Sequence, residues 1–72
     1  MFTGYYVRDK HIYGPLESGL FYFENGYIWG PRNGGKFYIQ HNFIWGPSRP
    51  GVFYVRDGHI YGPDRDVPWL AD

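Results

Sequence analysis

The stretch FYFENGYIWGP, residues 21–31, decides the fold of this 72-residue chain. Aromatic and β-branched residues, which favour strands, flank the dipeptide Asn25-Gly26. Asn-Gly is the strongest sequence signal for a two-residue hairpin turn, because both turn positions need a positive φ. Gly30 and Pro31 then mark the start of a loop. The stretch therefore predicts one tight antiparallel β-hairpin.

The same pattern occurs four times at a constant spacing of 16 residues, as the positions of Tyr5, Phe21, Phe37 and Phe53 show. Self-similarity at a fixed period is typical of repeat architectures. The chain therefore divides into units 5–20, 21–36, 37–52 and 53–68 of one domain, residues 1–72. The tail 69–72 resembles the start of a fifth unit. Trp69 falls in the column of Phe53, so we expect it to pack against the end of the core.

The strand register follows from the turns. A two-residue turn at Asp9-Lys10 pairs Val7 with Ile12, and the other three units have Asn25-Gly26, His41-Asn42 and Asp57-Gly58 at this place. A four-residue loop, 15–18, would pair Gly14 with Gly19 and set Ile12 opposite Phe21. Short turns at one end and longer loops at the other predict an all-β, antiparallel up-and-down meander of about eight strands.

Alternation along the strands separates two faces. One face is almost purely apolar and is the predicted core, with glycines at 14, 30, 46 and 62 that leave room for neighbouring rings. Its large members are Tyr5, Phe21, Phe37, Phe53, Val7, Phe23, Ile39, Val55, Ile12, Ile28, Ile44 and Ile60. Such a face is buried either inside a closed barrel or beneath a second copy that completes an open sheet. Both architectures agree with the sequence.

Composition narrows the functional classes. There is no cysteine, so disulfides and thiolate metal sites are excluded. Seven basic and seven acidic residues give zero net charge, which argues against nucleic acid as a partner. No signal peptide or transmembrane segment is evident, so we expect no membrane insertion and a cytoplasmic location by default. No nucleophile and base arrangement or phosphate loop stands out, so we expect no enzyme and no cofactor.

The outer face differs between units, and the two middle units are the more aromatic. Units two and three are neighbours, so their outer rings should merge into one patch. This patch comprises Tyr22, Tyr27, Trp29, Tyr38, Phe43 and Trp45. Cross-strand pairs that only stabilise the sheet are one interpretation. A surface for a homo-oligomer or a protein partner is another, since Trp and Tyr dominate interfaces. A platform on which carbohydrate rings stack is the third.

The outer face of the first and last units is more polar. In a barrel these units are adjacent, which would bring Arg8 and Arg56 near His11 and His59. The two arginines predict a site for a phosphate or carboxylate. Two imidazoles with no third ligand do not indicate a metal site.

The run FYFENGYIWG, residues 21–30, resembles the aromatic hairpin repeats of choline-binding and toxin cell-wall modules. Those repeats also contain an aromatic triplet, an Asn-Gly or Asp-Gly turn, a short strand and a glycine. They are longer, and the Gly-Trp pair that builds their choline cage is replaced here by Gly-Leu, Gly-Lys and Gly-Val at residues 19–20, 35–36 and 51–52. No binding residue transfers on this basis. The resemblance favours the carbohydrate or cell-surface hypothesis.

Overall fold

The computed structural model describes all residues, 1–72, and contains eight strands and one short 3-10 helix, Pro68–Leu70. Each strand pairs antiparallel with the next, and β8 pairs with β1, so the sheet closes into a barrel. This confirms the predicted meander. The alternative of an open sheet completed by a second copy is wrong, because the chain covers its own apolar face. The strands are β1 Phe2–Arg8, β2 His11–Tyr13, β3 Phe21–Glu24, β4 Tyr27–Trp29, β5 Phe37–Gln40, β6 Phe43–Trp45, β7 Phe53–Arg56 and β8 His59–Tyr61.

The four hairpin turns adopt the predicted geometry. Val7 lies opposite Ile12, and the same pairing recurs in the other three hairpins. Both turn residues have positive φ even where neither is glycine, with 50° at Asp9 and 71° at Lys10. A non-glycine residue in this region costs about 1–2 kcal/mol. Strand pairing therefore holds the turns Asp9-Lys10 and His41-Asn42 at positive φ, although neither turn contains a glycine.

The loops between hairpins differ from the prediction. Ile12 does lie opposite Phe21, but the strands end there and residues 14–20 form a longer loop. Gly19 has a φ of 80°, and its N–H donates to the Ile12 carbonyl at 2.8 Å. The left-handed glycine thus turns its N–H away from Gly14, the expected partner. Loops 30–36 and 46–52 repeat this arrangement.

Hydrogen bonds of identical length connect each hairpin to a neighbouring turn. The N–H of Phe23 donates to the carbonyl of Lys10 at 2.7 Å, and the N–H of Val7 donates to that of Gly58 at 2.7 Å. Ile39 and Val55 donate in the same way to the turns before them. The junction between the first and last hairpins therefore has the same bond as the internal junctions.

The core contains fewer of the repeat residues than predicted. Eight of the twelve expected residues are buried, together with Val67 and Trp69. Val7, Phe23, Ile39 and Val55 are only partly buried. These four are next to the hairpin turns, where no other segment covers the barrel. At the opposite end, which we call the loop end, the C-terminal tail lies over the core.

Glycines make the close packing of the core rings possible. A Cβ atom on Gly46 would lie 2.2 Å from Cδ2 of Phe37, and one on Gly14 would lie 2.3 Å from Cδ1 of Tyr5. No real Cβ contact is that short, so no side chain fits here unless the ring moves. The predicted role of these glycines is confirmed.

The seam between β1 and β8 contains residues that lie outside the predicted units. Phe2 pairs with Tyr61, and the register shifts between Phe2 and Tyr6 around Gly4, whose φ is 93°. Thr3 is buried, and its hydroxyl donates to the Ile60 carbonyl at 2.7 Å. Thr3 has no counterpart in the repeat pattern, because the matching positions in the other units are glycines.

Candidate functional site

The strand register brings the predicted aromatic patch together on the outside of β3 to β6. Tyr22 lies opposite Trp29, and Tyr38 lies opposite both Tyr27 and Trp45. The Tyr27 ring is 6.4 Å from the Trp29 ring and 5.9 Å from the Tyr38 ring, measured between centroids. These three rings therefore form one connected cluster.

The two tryptophans of the patch also support the fold. The indole N–H of Trp29 donates to the carbonyl of Glu24 at 3.1 Å, and that of Trp45 donates to the carbonyl of Gln40 at 3.3 Å. Each indole ring lies over a glycine of the following loop, such as Gly35 beneath Trp29. The indole rings are thus fixed in place, while Trp29 keeps 36% of its surface exposed.

The aromatic surface extends beyond the predicted patch. Phe43 contacts Tyr54 at 5.8 Å, Tyr54 stacks on Tyr61 at 5.5 Å, and Tyr6 stacks on Tyr13 at 5.6 Å. Strand pairing joins these contacts into a circle around the barrel, which we call the aromatic belt. The belt consists of Tyr6, His11, Tyr13, Tyr22, Tyr27, Trp29, Tyr38, Phe43, Trp45, Tyr54, His59 and Tyr61.

The suggested anion site is more dispersed than the aromatic patch. Arg8 lies opposite His11, and Arg56 lies opposite His59. Both imidazoles belong to the aromatic belt: His59 is 6.5 Å from the Tyr6 ring, and its Nδ1 donates to the Asp57 carbonyl at 2.9 Å. Strand β8 separates the two arginines, and neither forms an ion pair. No group of three potential metal ligands occurs in the chain.

A second region, which the repeat columns did not predict, lies at the loop end. The guanidinium group of Arg49 makes two 2.8 Å bonds to the Asp64 carboxylate and a 2.9 Å bond to the Asp66 carbonyl. It also lies 5.0 Å from the centre of the Phe53 ring. This ion pair lowers the pKa of Asp64 to about 2. Arg49 therefore fixes the base of the tail to the third loop.

Arg32 has a corresponding role on the second loop. It pairs with the carboxylate of Glu17 and donates to the Leu70 carbonyl at 2.8 Å. The hydrogen bond from Arg32 lowers the pKa of Glu17. The neighbouring Asn33 donates to the carbonyls of Trp69 and Ala71 at 3.0 and 2.7 Å. Polar loop side chains thus hold the tail across the barrel, and Trp69, 1% exposed, closes the end.

A cleft of about 400 Å³, which we call the loop-end cleft, lies beside the tail. Sequence reasoning missed it because the loop columns vary in charge and length of side chain, without a repeated pattern. One signal was visible: Tyr5 is the only tyrosine in a column of phenylalanines. The cleft is lined by Tyr5, Leu16, Ser48, Arg49, Arg65, Asp66, Val67, Pro68, Leu70 and Ala71.

The single helical turn, Pro68–Leu70, is far too short to cross a lipid bilayer, and the structure contains no longer helix.

The chain offers two candidate sites, the aromatic belt and the loop-end cleft. Comparison with protein-family models, with curated proteins and with solved structures finds no match to this chain.

Proposed function

We propose that this chain is a non-catalytic interaction module that associates with copies of itself through the aromatic patch of β3 to β6, which comprises Tyr22, Tyr27, Trp29, Tyr38, Phe43 and Trp45. One observation carries the proposal. The Tyr27 ring contacts the rings of both Trp29 and Tyr38, and yet the three side chains are 44%, 36% and 38% exposed. A contiguous cluster of exposed rings is the feature that marks an interaction surface on a small protein.

Two further properties favour a second copy of the chain as the binding partner of this surface. The formal net charge is zero, so copies do not repel each other. Tyr and Trp are the residues that contribute most at protein interfaces, because they bury a large area with few rotatable bonds. The nearby Phe43, 41% exposed and without a polar group, extends the same surface.

Sedimentation velocity over a concentration series tests self-association with the protein alone. We expect the sedimentation coefficient to rise with concentration, and the Tyr27→Thr, Tyr38→Thr double variant to remain monomeric. Threonine keeps the strand propensity, so the barrel should persist. The matched control is Tyr6→Thr, Tyr13→Thr, which removes a stacked pair from another part of the belt and should still associate. A native chain that stays monomeric up to millimolar concentration would contradict the proposal.

Carbohydrate binding is a second candidate function, favoured by the fixed position of Trp29. Its ring is held by the hydrogen bond to Glu24 and by contact with Gly35, so an exposed face is available without loss of side-chain freedom. A preorganised ring lowers the entropy penalty of binding. A glycan array on which Trp29→Ala and the native chain give the same signals would remove this candidate.

A further inference from the structure

The loop-end cleft is separate from the aromatic belt and has an unusual residue in its wall. In the ring of core side chains at this end, three units have phenylalanine at 21, 37 and 53, and the first has Tyr5. Tyr5 is 2% exposed, and it is the one member of that ring that lines the cleft. The departure from the repeat and the opening therefore coincide.

The Tyr5 hydroxyl lies at the cleft, not within the apolar barrel. It lies near the backbone of Leu16, which also lines the cleft. Burial raises the pKa of this hydroxyl, and the carboxylates of Glu17 and Asp66 add to the effect. The hydroxyl therefore keeps its proton at neutral pH, and it remains available to donate to a ligand.

Two other donors of the cleft have no partner in the protein. Arg65 forms no ion pair, in contrast to Arg49, which is bound to Asp64 and the tail. The Ser48 hydroxyl makes no hydrogen bond, whereas the Ser18 hydroxyl in the first loop accepts one from Gly14. Against these three donors stands one unpaired carboxylate, that of Asp66. The balance of polar groups in the cleft favours a ligand that accepts hydrogen bonds.

The rest of the cleft wall is apolar. It consists of Leu16 from the first loop and of Val67, Pro68, Leu70 and Ala71 from the C-terminal segment. Small-molecule sites typically combine such a wall with a few placed polar groups, in volumes of roughly 300–1,000 Å³. The volume of about 400 Å³ suits a ligand with one small ring or a short chain.

We propose that the loop-end cleft binds a small monocarboxylate with an apolar body. The carboxylate accepts hydrogen bonds from the Tyr5 hydroxyl and pairs with the Arg65 guanidinium, and the apolar body lies against Leu16 and Leu70. Charge-assisted hydrogen bonds of this kind are about twice as strong as neutral ones.

The test is an NMR titration of the full chain with phenylacetate. We expect saturable shifts at the amides of residues 5, 16, 65–67 and 69–71, and few elsewhere. The neutral isostere phenylacetamide should bind roughly tenfold more weakly or worse, because it lacks the charge that Arg65 recognises. Equal binding of the amide, stronger binding of the cation phenethylamine, or no saturable shift with phenylacetate would overturn the proposal.

Two variants separate the roles of the donors. Arg65→Gln should weaken phenylacetate binding roughly tenfold, whereas Arg56→Gln, on the outer face of β7, should leave it unchanged. Tyr5→Phe restores the residue found in the other three units, so it should fold and lose only the hydroxyl. Its affinity for phenylacetate should fall several-fold, and an unchanged affinity in both Tyr5→Phe and Arg65→Gln would contradict the assignment.

Discussion

The two ends of the barrel are built from the same repeat but differ in how they are closed. At the hairpin-turn end, Val7, Phe23, Ile39 and Val55 are partly exposed, and four equal hydrogen bonds hold the turns. At the loop end, the tail crosses the barrel, and Trp69 is buried between Tyr5 and Phe53, 6.4 and 6.3 Å from their ring centres. The regular end keeps the symmetry of the repeat, whereas the loop end breaks it.

The difference between the two ends shows which positions of the repeat can change from one unit to the next. Positions that face the barrel must satisfy the same packing in every unit, so they stay apolar throughout. The loops also contact the C-terminal tail, and this single segment cannot contact all three loops in the same way. Arg32, Asn33 and Arg49 are specific to their own loops for this reason. The cleft with Tyr5 and Arg65 lies at this asymmetric end.

Truncation of the buried tryptophan should have the largest effect. We expect Trp69→Ala to lower the free energy of unfolding by roughly 3–5 kcal/mol, because it removes a whole ring from the core. Val55→Ala at the open end should cost on the order of 1 kcal/mol, since that side chain is only partly buried. Urea denaturation measures both.

A milder replacement keeps this comparison measurable if the alanine variant does not fold. Trp69→Phe installs the residue of the repeat column and should cost less than Trp69→Ala. Equal losses for Val55→Ala and Trp69→Ala would show that the tail does not close the barrel.

Addition of a methyl group beneath a core ring should have the next largest effect. In Gly46→Ala the new Cβ would lie 2.2 Å from Cδ2 of Phe37, so we expect a loss of about 1–3 kcal/mol. Gly34→Ala is the matched control, because its Cβ would be 3.4 Å from the nearest atom of Trp29, an ordinary contact. Thermal unfolding of both variants would show the difference, and equal stability would mean that the barrel yields easily at these glycines.

Acid should loosen the loop end by a smaller amount. The pKa of Asp64 is lowered from 3.8 to about 2 by Arg49, so its ion pair stabilises the fold above that range and is lost as the pH falls through it. The pKa of Glu17 is also lowered, by the hydrogen bond from Arg32. We expect the native chain to lose more stability between these pH values than Asp64→Asn, in which the pair is already absent. The control Asp57→Asn, in a turn without an ion pair, should lose as much stability as the native chain over this pH range. The same pH dependence of stability in all three proteins would contradict the effect.

The parts of the fold that were predictable are those with short-range causes. Asn25-Gly26 and its three equivalents determine the hairpin turns, and alternation then assigns the buried face. The partial exposure of Phe23 was not predictable, because it depends on which end of the barrel the tail covers. The loop length was missed because the φ of Gly19 redirects one N–H, and a residue name alone does not reveal this.

The candidate sites were predictable to different degrees. The cluster of Tyr27, Trp29 and Tyr38 follows from register, since cross-strand neighbours are determined once the turns are known. The continuation of the belt through His59 and Tyr6 requires β8 to meet β1, which the sequence left open. The ion pairs Glu17–Arg32 and Arg49–Asp64 join the same two repeat columns, but the acidic and basic residues are exchanged between them, so the columns show no conserved charge that would identify the partners.

The pairing of β8 with β1 has a consequence for recognition. Many proteins capture a partner by adding its extended segment to a free sheet edge, where unpaired N–H and C=O groups serve as a template. Here every strand has a neighbour on both sides, so no such edge exists. The same closure withholds the backbone from strand-by-strand aggregation. On the strands themselves, only side chains, such as those of the belt, are therefore offered to a partner.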